Sequence, residues 1–203
     1  LSQIGSDGYV DRASSKLKSY FLQGTYKNDK TLIKALLFGG QEKTYQAWNG
    51  VDAETLATDR TFNSAGMYTD ANGEIQFYDN EIDNYKQDHF QLHWNQKVSE
   101  HWNTNLAFHY TRGRGFFEQY KEDADFSDYG LEPIVVDGQE VNTTDLIRRK
   151  WLNNNFYGAV FSANYTQDGL KVILGGGWNK YEGEHYGEII WAQYASNSSI
   201  RER

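Results

Sequence analysis

Alternation with a period of two is the feature that most restricts this chain. From Trp102 to Tyr110 the residues Trp102, Thr104, Leu106, Phe108 and Tyr110 are apolar or amphipathic, whereas Asn103, Asn105, Ala107 and His109 are polar or small. Successive side chains of a strand point to opposite faces, so this pattern predicts a strand with one apolar and one wet surface. Upstream, Phe90, Leu92 and Trp94 alternate with His89, Gln91, His93 and Asn95, and a short turn at Ser99, Glu100 and His101 joins the two runs. Folding at that turn sets Leu92 beside Phe108, Phe90 beside Tyr110 and Trp94 beside Leu106, with all six on one face.

The device recurs. The turn Lys27, Asn28, Asp29, Lys30 predicts a hairpin that aligns Tyr20 with Leu37, Leu22 with Ala35 and Gly24 with Ile33. Across Thr166, Gln167, Asp168 and Gly169, the residues Tyr157, Ala159, Phe161, Ala163 and Tyr165 meet Leu170, Val172, Leu174, Gly176 and Trp178. The expectation is an all-β fold of six antiparallel up-and-down strands at about 15–27, 30–45, 85–98, 102–117, 151–166 and 169–181, with hairpins centred on Asn28 and Asp29, on Glu100, and on Gln167 and Asp168. Polar connections at 46–84 and 118–150 separate the hairpins and far exceed the roughly four to six residues usual in compact domains. Short turns at one end and long loops at the other are the rhythm of an outer-membrane barrel.

Composition agrees with strands that face two media. The 203 residues include 15 Tyr, 11 Phe and 6 Trp but only one Pro. Mean hydropathy is nonetheless −0.78, as expected where the lumen face and loops are wet. A strand of about 12 residues rises roughly 40 Å, or about 30 Å when tilted, enough to cross an apolar band about 25 Å tall. Trp94 and Trp102 near one turn, with Tyr26, Tyr165 and Phe90 or Tyr110, supply candidates for two aromatic girdles. No apolar run approaches the roughly 18 residues of a spanning helix. A net charge of −8 argues against a nucleic-acid partner, and the lack of Cys excludes thiolate metal sites and disulfides. Leu1 follows no charged-then-apolar leader and the chain ends at Arg201, Glu202 and Arg203, which reads as a segment of a longer exported protein.

Chemistry-bearing residues each have a plain structural reading. His89, His93 and His109 fall on the polar face in this register, where diagonal neighbours stay about 7 Å apart. That favours a polar wall over a metal centre needing bonds of about 2 Å. Arg112 and Arg114, between Gly113 and Gly115, lack the context of a phosphate loop and suit an outer rim that meets acidic loops or an anionic ligand. Arg148, Arg149 and Lys150 suggest the same rim, solvated or held on lipid phosphate. Asp70, Asn72 and Glu74 around Gly73 offer either a calcium loop without EF-hand spacing or a hairpin turn. Tyr45, Trp48, Tyr181, Tyr186 and Trp191 are expected in outer loops, where aromatic faces suit capture of a ligand or packing of loop on loop. No carboxylate pair stands out as a catalytic acid and base, and nothing calls for a cofactor.

The segments 34–51 (KALLFGGQEKTYQAWNGV), 80–95 (NEIDNYKQDHFQLHWN), 106–120 (LAFHYTRGRGFFEQY), 145–157 (DLIRRKWLNNNFY) and 175–192 (GGGWNKYEGEHYGEIIWA) resemble barrel segments of TonB-dependent receptors of the Bacteroidetes type. The resemblance implies a partial, roughly 22-stranded outer-membrane barrel around a plug, with neither plug nor TonB-binding box recognisable here. It further implies a bacterial outer-membrane location, outer-membrane lipid and a small-molecule or glycan ligand as partners, and energising by a TonB complex through a part of the protein outside this segment. Uptake of a siderophore, cobalamin, haem or glycan would follow, with no reaction catalysed. Two other readings stay open: a secreted carbohydrate-binding β-sandwich, whose apolar faces must pack on each other, and, more distantly, a glycoside hydrolase.

Overall fold

A computed structural model describes residues 1–194. The chain is all-β. Seven strands form one antiparallel sheet in which every neighbour in space is the next long strand in sequence: β1 (Ser2–Ser6), β2 (Ser15–Lys27), β3 (Thr31–Tyr45), β6 (Ile82–Lys97), β7 (Trp102–Asp125), β10 (Thr143–Gln167) and β11 (Leu170–Ala192). Two small hairpins lie in the connections, β4 (Met67–Thr69) with β5 (Ile75–Phe77) and β8 (Ile134–Val136) with β9 (Gln139–Val141). A short helix, α1 (Ala53–Thr58), is capped by Asp52, whose carboxylate accepts from the Thr55 amide at 2.7 Å. The sheet is open, with β1 and β11 as its edges.

Turn chemistry sets the register. The central hairpin pairs Leu92 with Phe108, Phe90 with Tyr110 and Trp94 with Leu106, as the alternation requires. The first hairpin instead pairs Leu22 with Leu37 and Gly24 with Ala35, two residues away from the expected alignment. A two-residue turn at Asn28 and Asp29 would need both in the left-handed region, and neither has a positive φ. Asn28 instead accepts from the amides of Lys30 and Thr31 at 2.9 and 2.8 Å, which widens the turn. A shift of two keeps every side chain on its face. In the third hairpin Asp168 and Gly169 carry φ of 49° and 82°, so the tight turn is centred one residue later than expected, and Tyr165 pairs with Val172 and Ala159 with Trp178 rather than with Leu170 and Gly176.

Three expected boundaries are corrected. The connection 118–150 is mostly strand, because β7 runs on to Asp125, β10 begins at Thr143 and the β8 and β9 hairpin lies between them. These charge-dense ends stay extended because opposite partners face each other across the ladder, Glu118 beside Arg149. Likewise β11 continues to Ala192 rather than stopping near 181, and the connection 46–84 shortens to 46–81 and folds on itself. A seventh strand, β1, joins by pairing Ile4 with Leu17.

The middle of the sheet has no core, whereas its loop end does. On the apolar face Leu22, Leu92, Phe108 and Leu174 are 65, 42, 47 and 70% exposed. At the loop end Tyr45, Ala65 and Ile82 bury one another against Phe116, and Phe126 and Leu146 are fully buried. Such a distribution inverts that of a water-soluble domain, which hides its largest apolar stripe first.

Candidate functional site

Two unlike surfaces and a fastened rim make up the functional geometry. On the apolar face, adjacent strands align Tyr26, Ile33, Trp94, Leu106 and Phe161, and above them Gly24, Ala35, Leu92, Phe108, Ala159 and Trp178. Aromatic rings border this band at both ends. Near the turns Trp102 and Tyr165 meet with centroids 5.0 Å apart, and toward the loops Phe90 and Tyr110 stack at 5.9 Å. Amphipathic rings at both margins of an apolar stripe suit two interfaces between oil and water.

The opposite face is mixed, polar along β6 and β7 and carrying Phe21, Leu36, Phe38, Val160 and Ile173 on the strands to either side. His89 hydrogen-bonds Thr111 at 2.9 Å and stacks on Phe38 at 4.6 Å. Its neighbours are also engaged: His93 lies 3.2 Å from Gln91, and His109 packs on Phe156 at 4.8 Å. Each imidazole therefore has its own partner, and among the described residues no three His, Asp or Glu side chains gather round a common point. Asn95, Asn105 and Ser162 continue the polar surface in a hydrogen-bonded row. On this face the glycines beside Arg112 and Arg114 have a packing role. A Cβ at Gly115 would lie 2.5 Å from the Tyr85 Cα and one at Gly113 would overlap the Tyr85 hydroxyl, so the bare backbone gives the ring its bed.

At the loop end the connection 46–81 is clasped to the sheet. Glu118 is 1% exposed and accepts from the Tyr78 hydroxyl, from Asn80 at 2.6 Å and from Arg149 at 2.6 Å. Tyr45 donates toward the carbonyls of Ala65 and Tyr78 at 3.1 and 2.9 Å, while Gln46 reaches the carbonyls of Ile82 and Glu118 at 3.3 and 3.1 Å. Arg12 lies 3.7 Å above the Phe77 ring and bonds the Asn63 carbonyl. Tyr68 stacks on Tyr120 at 4.2 Å. Burial raises the Tyr78 phenol above its ordinary value, and the Glu118 carboxylate adds to the rise.

The expected site residues are dispersed over this frame. Tyr45 is buried and serves the clasp, whereas Trp48 is exposed in the connection. Arg112 and Arg114 lie within β7 on the apolar-band side, just beyond the Tyr110 ring; Arg112 bonds Asn153 and the Asn154 carbonyl, and Arg114 sits 5.1 Å from the Trp151 ring. Tyr181, Tyr186 and Trp191 belong to β11 rather than to a loop. Tyr181 bonds Asn154 at 2.8 Å, Tyr186 stacks on Trp151 at 6.0 Å and Trp191 on Tyr120 at 6.4 Å. Arg114 and Tyr186 come together through Trp151, and Arg112 and Tyr181 share Asn154.

No protein-family model matches the chain, and no curated protein matches it. The two sheet faces and the clasped loop end are therefore the features that bear on function. Asp70 has a structural task there: it accepts from the amides of Asn72 and Glu74 at 2.9 and 3.0 Å and from Gln76 at 3.1 Å, fixing the turn between β4 and β5. These amides hold its carboxyl below the usual range. Arg148 bonds Tyr129 and Gln119 at 2.9 and 3.0 Å inside β10, so it is not a free rim charge. Glu118, Tyr78, Tyr120 and Trp151 went unnoticed in the sequence because their partners lie tens of residues away.

The clasp carries a pH dependence. Glu81 is buried, accepts from the Tyr120 amide at 3.0 Å, and is pushed up to about 7, mainly by desolvation, with Lys121 and Arg148 opposing the rise and Glu118 adding to it. A carboxyl raised in the folded state favours folding most when protonated, so its contribution is full below about 4.5 and is lost as pH rises through about 7. Docking of 46–81 is expected to weaken by up to about 3 kcal/mol between pH 4.5 and pH 8. Amide hydrogen exchange across that range measures it. Glu81→Gln should flatten the profile; an unchanged slope in that variant would assign the effect to other groups.

Proposed function

We propose that this chain is part of the wall of an outer-membrane β-barrel, of the TonB-dependent receptor type, that takes up a scarce nutrient. The observation that carries the reading is the bare, ring-bordered apolar band on a sheet whose loop end is packed. Lipid is the environment in which such a band is stable without a protein partner. The opposite face supplies a polar surface along which a hydrated ligand passes. Strands of 24 and 25 residues rise about 80 Å, far more than a bilayer needs. Their upper portions hold the clasped connection beyond the membrane.

Two open edges cannot stand in a bilayer, so on this reading the sheet is one arc of a closed barrel of roughly 22 strands. Energy for transport comes from a TonB complex engaged through residues outside this sequence. The ligand is captured at the loop end, where Trp48 stands exposed and Trp151 is flanked by Arg114 and Tyr186. No covalent chemistry is required.

The test is uptake by the protein in its own membrane, with siderophore, cobalamin, haem and glycan panels. One ligand class should be retained at the cell surface without TonB and accumulate inside only when TonB is present. Accumulation indifferent to TonB would overturn the energised mechanism, and recovery of the protein in the aqueous fraction would overturn the membrane reading.

A further inference from the structure

The row of side chains just loopward of the apolar band is cationic on an otherwise acidic protein. Lys18, Gln41, Lys86 and Arg114 are successive cross-strand partners on β2, β3, β6 and β7. Lys16 and Lys43 pair in the next such position, and Arg112 pairs with Asp88 on the bandward side. Asp88 is held by Lys86 at 2.9 Å and by the Tyr20 hydroxyl at 2.6 Å. Against a net charge of −8 for the whole chain, this cluster is a local reversal of sign.

The surface under it is concave. Lys18, Tyr20, Gln41 and Lys86 line a depression of about 490 Å³. Bandward of it lies an apolar groove of about 460 Å³ lined by Leu22, Gly24, Ala35, Leu37, Phe90 and Leu92. The groove exists because Gly24 and Ala35 are cross-strand partners with almost no side chain, set among larger neighbours; a Cβ at Gly24 would meet nothing within 4 Å. Its upper lining row, Leu22, Leu37 and Phe90, is separated from the cations by the row of Tyr20, Gly39 and Asp88.

Resting on the membrane reading above, we propose that this face binds one phosphate-bearing membrane lipid, with an acyl chain in the Gly24 and Ala35 groove and its anionic headgroup on Lys18, Lys86 and Arg114. Charge complementarity selects this occupant, and the apolar groove lies within reach of its acyl chain on the far side of the Tyr20 and Asp88 row. A soluble anion would have no use for the groove, and an uncharged lipid none for the cations. Ammonium groups on flexible stems and a planar guanidinium suit phosphate oxygens in different ways, the former as mobile point charges and the latter as a fixed fork. Gln41 adds an amide donor in the same row.

The experiment extracts the full protein from its membrane in detergent and exchanges it into dipalmitoyl phosphatidylglycerol or dipalmitoyl phosphatidylcholine. Native mass spectrometry then counts the lipids retained. Each cation near an anionic headgroup contributes a factor of about five, so phosphatidylglycerol should be retained at least about tenfold better. Lys18→Glu with Lys86→Glu and Arg114→Glu should reduce the preference to within about twofold, and the Lys18→Gln, Lys86→Gln pair should fall between. Gly24→Trp, which fills the groove, should lower retention of both lipids. Equal retention by the unaltered protein, or a preference that survives charge reversal with the strand spectrum intact, overturns the site while leaving the barrel reading standing. A protein that never enters the membrane fraction ends both.

Discussion

Placing Lys at Leu92 or at Phe108 is expected to cost the membrane-inserted protein about 2–4 kcal/mol each, whereas Lys at Gln91 should change its stability by no more than a few tenths of that. The three positions are within one residue row of each other: Leu92 and Phe108 are direct cross-strand partners, and Gln91 is the chain neighbour of Leu92 on the opposite face. The same residue is introduced into paired or adjacent positions of one sheet, so a difference between them reports chiefly the medium each face touches. Leu92 and Phe108 sit between the two ring pairs, close to the midplane of the band, where an ammonium has the longest way to water. Reversible unfolding of the protein in bilayers, followed by urea titration, measures the costs. Equal losses on both faces would mean that the two surfaces share one environment and would remove the distinction between a lipid wall and a wet wall.

Removing the Glu118 carboxylate is expected to have the largest effect away from the band. Glu118→Ala deletes three accepted hydrogen bonds and strands the Arg149 guanidinium, which lies 2.6 Å from the lost oxygen and 4.4 Å from the Phe116 ring. Breaking one half of a buried, hydrogen-bonded ion pair costs about 3–5 kcal/mol. That should exceed what holds 46–81 in place, so limited proteolysis should nick the connection in the variant and spare it in the parent. The portions of the strands within the band should remain intact because the side-chain partners of Glu118, Tyr78, Asn80 and Arg149, all lie at the loop end. Glu118→Ala together with Arg149→Leu should recover part of the loss, since the stranded charge is gone. A connection that stays resistant in the single variant would show that Tyr45, Gln46 and the Tyr68 stack on Tyr120 suffice without the carboxylate.

Most of the sheet was legible because the cues are local. Alternation fixes which residues share a face, and the central hairpin was placed residue for residue by a turn with little latitude. The first turn was ambiguous because the Asn28 side chain, not a glycine, decides its width, and sequence spacing alone does not show which amides it will cap. The extensions 118–125 and 143–150 read as loops because charge density is a poor strand signal; what makes them strands is the opposing charge on a neighbour about thirty residues away. β1 escaped notice because Ser2, Gln3, Ile4, Gly5 and Ser6 carry almost no alternation and are extended only by pairing with β2. The clasp was invisible for the same reason on a longer scale: Glu118, Tyr78 and Asn80 meet only once 46–81 has folded back. Of the aromatics expected in loops, Trp48 alone stands in one, and the others pack along strands that run further than hydropathy alone suggests.

In water, without lipid, the same physics gives the sheet a second behaviour. Its edges β1 and β11 expose unpaired backbone groups and its apolar face is uncovered, so the isolated chain should associate through edges or faces as concentration rises. Light scattering across a dilution series reads this, and a clean monomer with shielded aromatics would favour a self-contained soluble sandwich.

The most direct test of the central claim uses the fact that these 203 residues contain no Cys. Single Cys substitutions at Leu22, Leu92, Phe108 and Leu174 on one face, at Gln91 and Asn105 on the other, and at Trp48 in the connection are probed with a membrane-impermeant maleimide on the protein in its own membrane. The apolar-face positions should resist labelling until detergent is added, Trp48→Cys should label from outside the cell, and the polar-face positions should label once the reagent can enter the lumen. Prompt labelling at Leu92→Cys and Phe108→Cys in intact membranes, at the rate seen for Trp48→Cys, would contradict a lipid-facing wall.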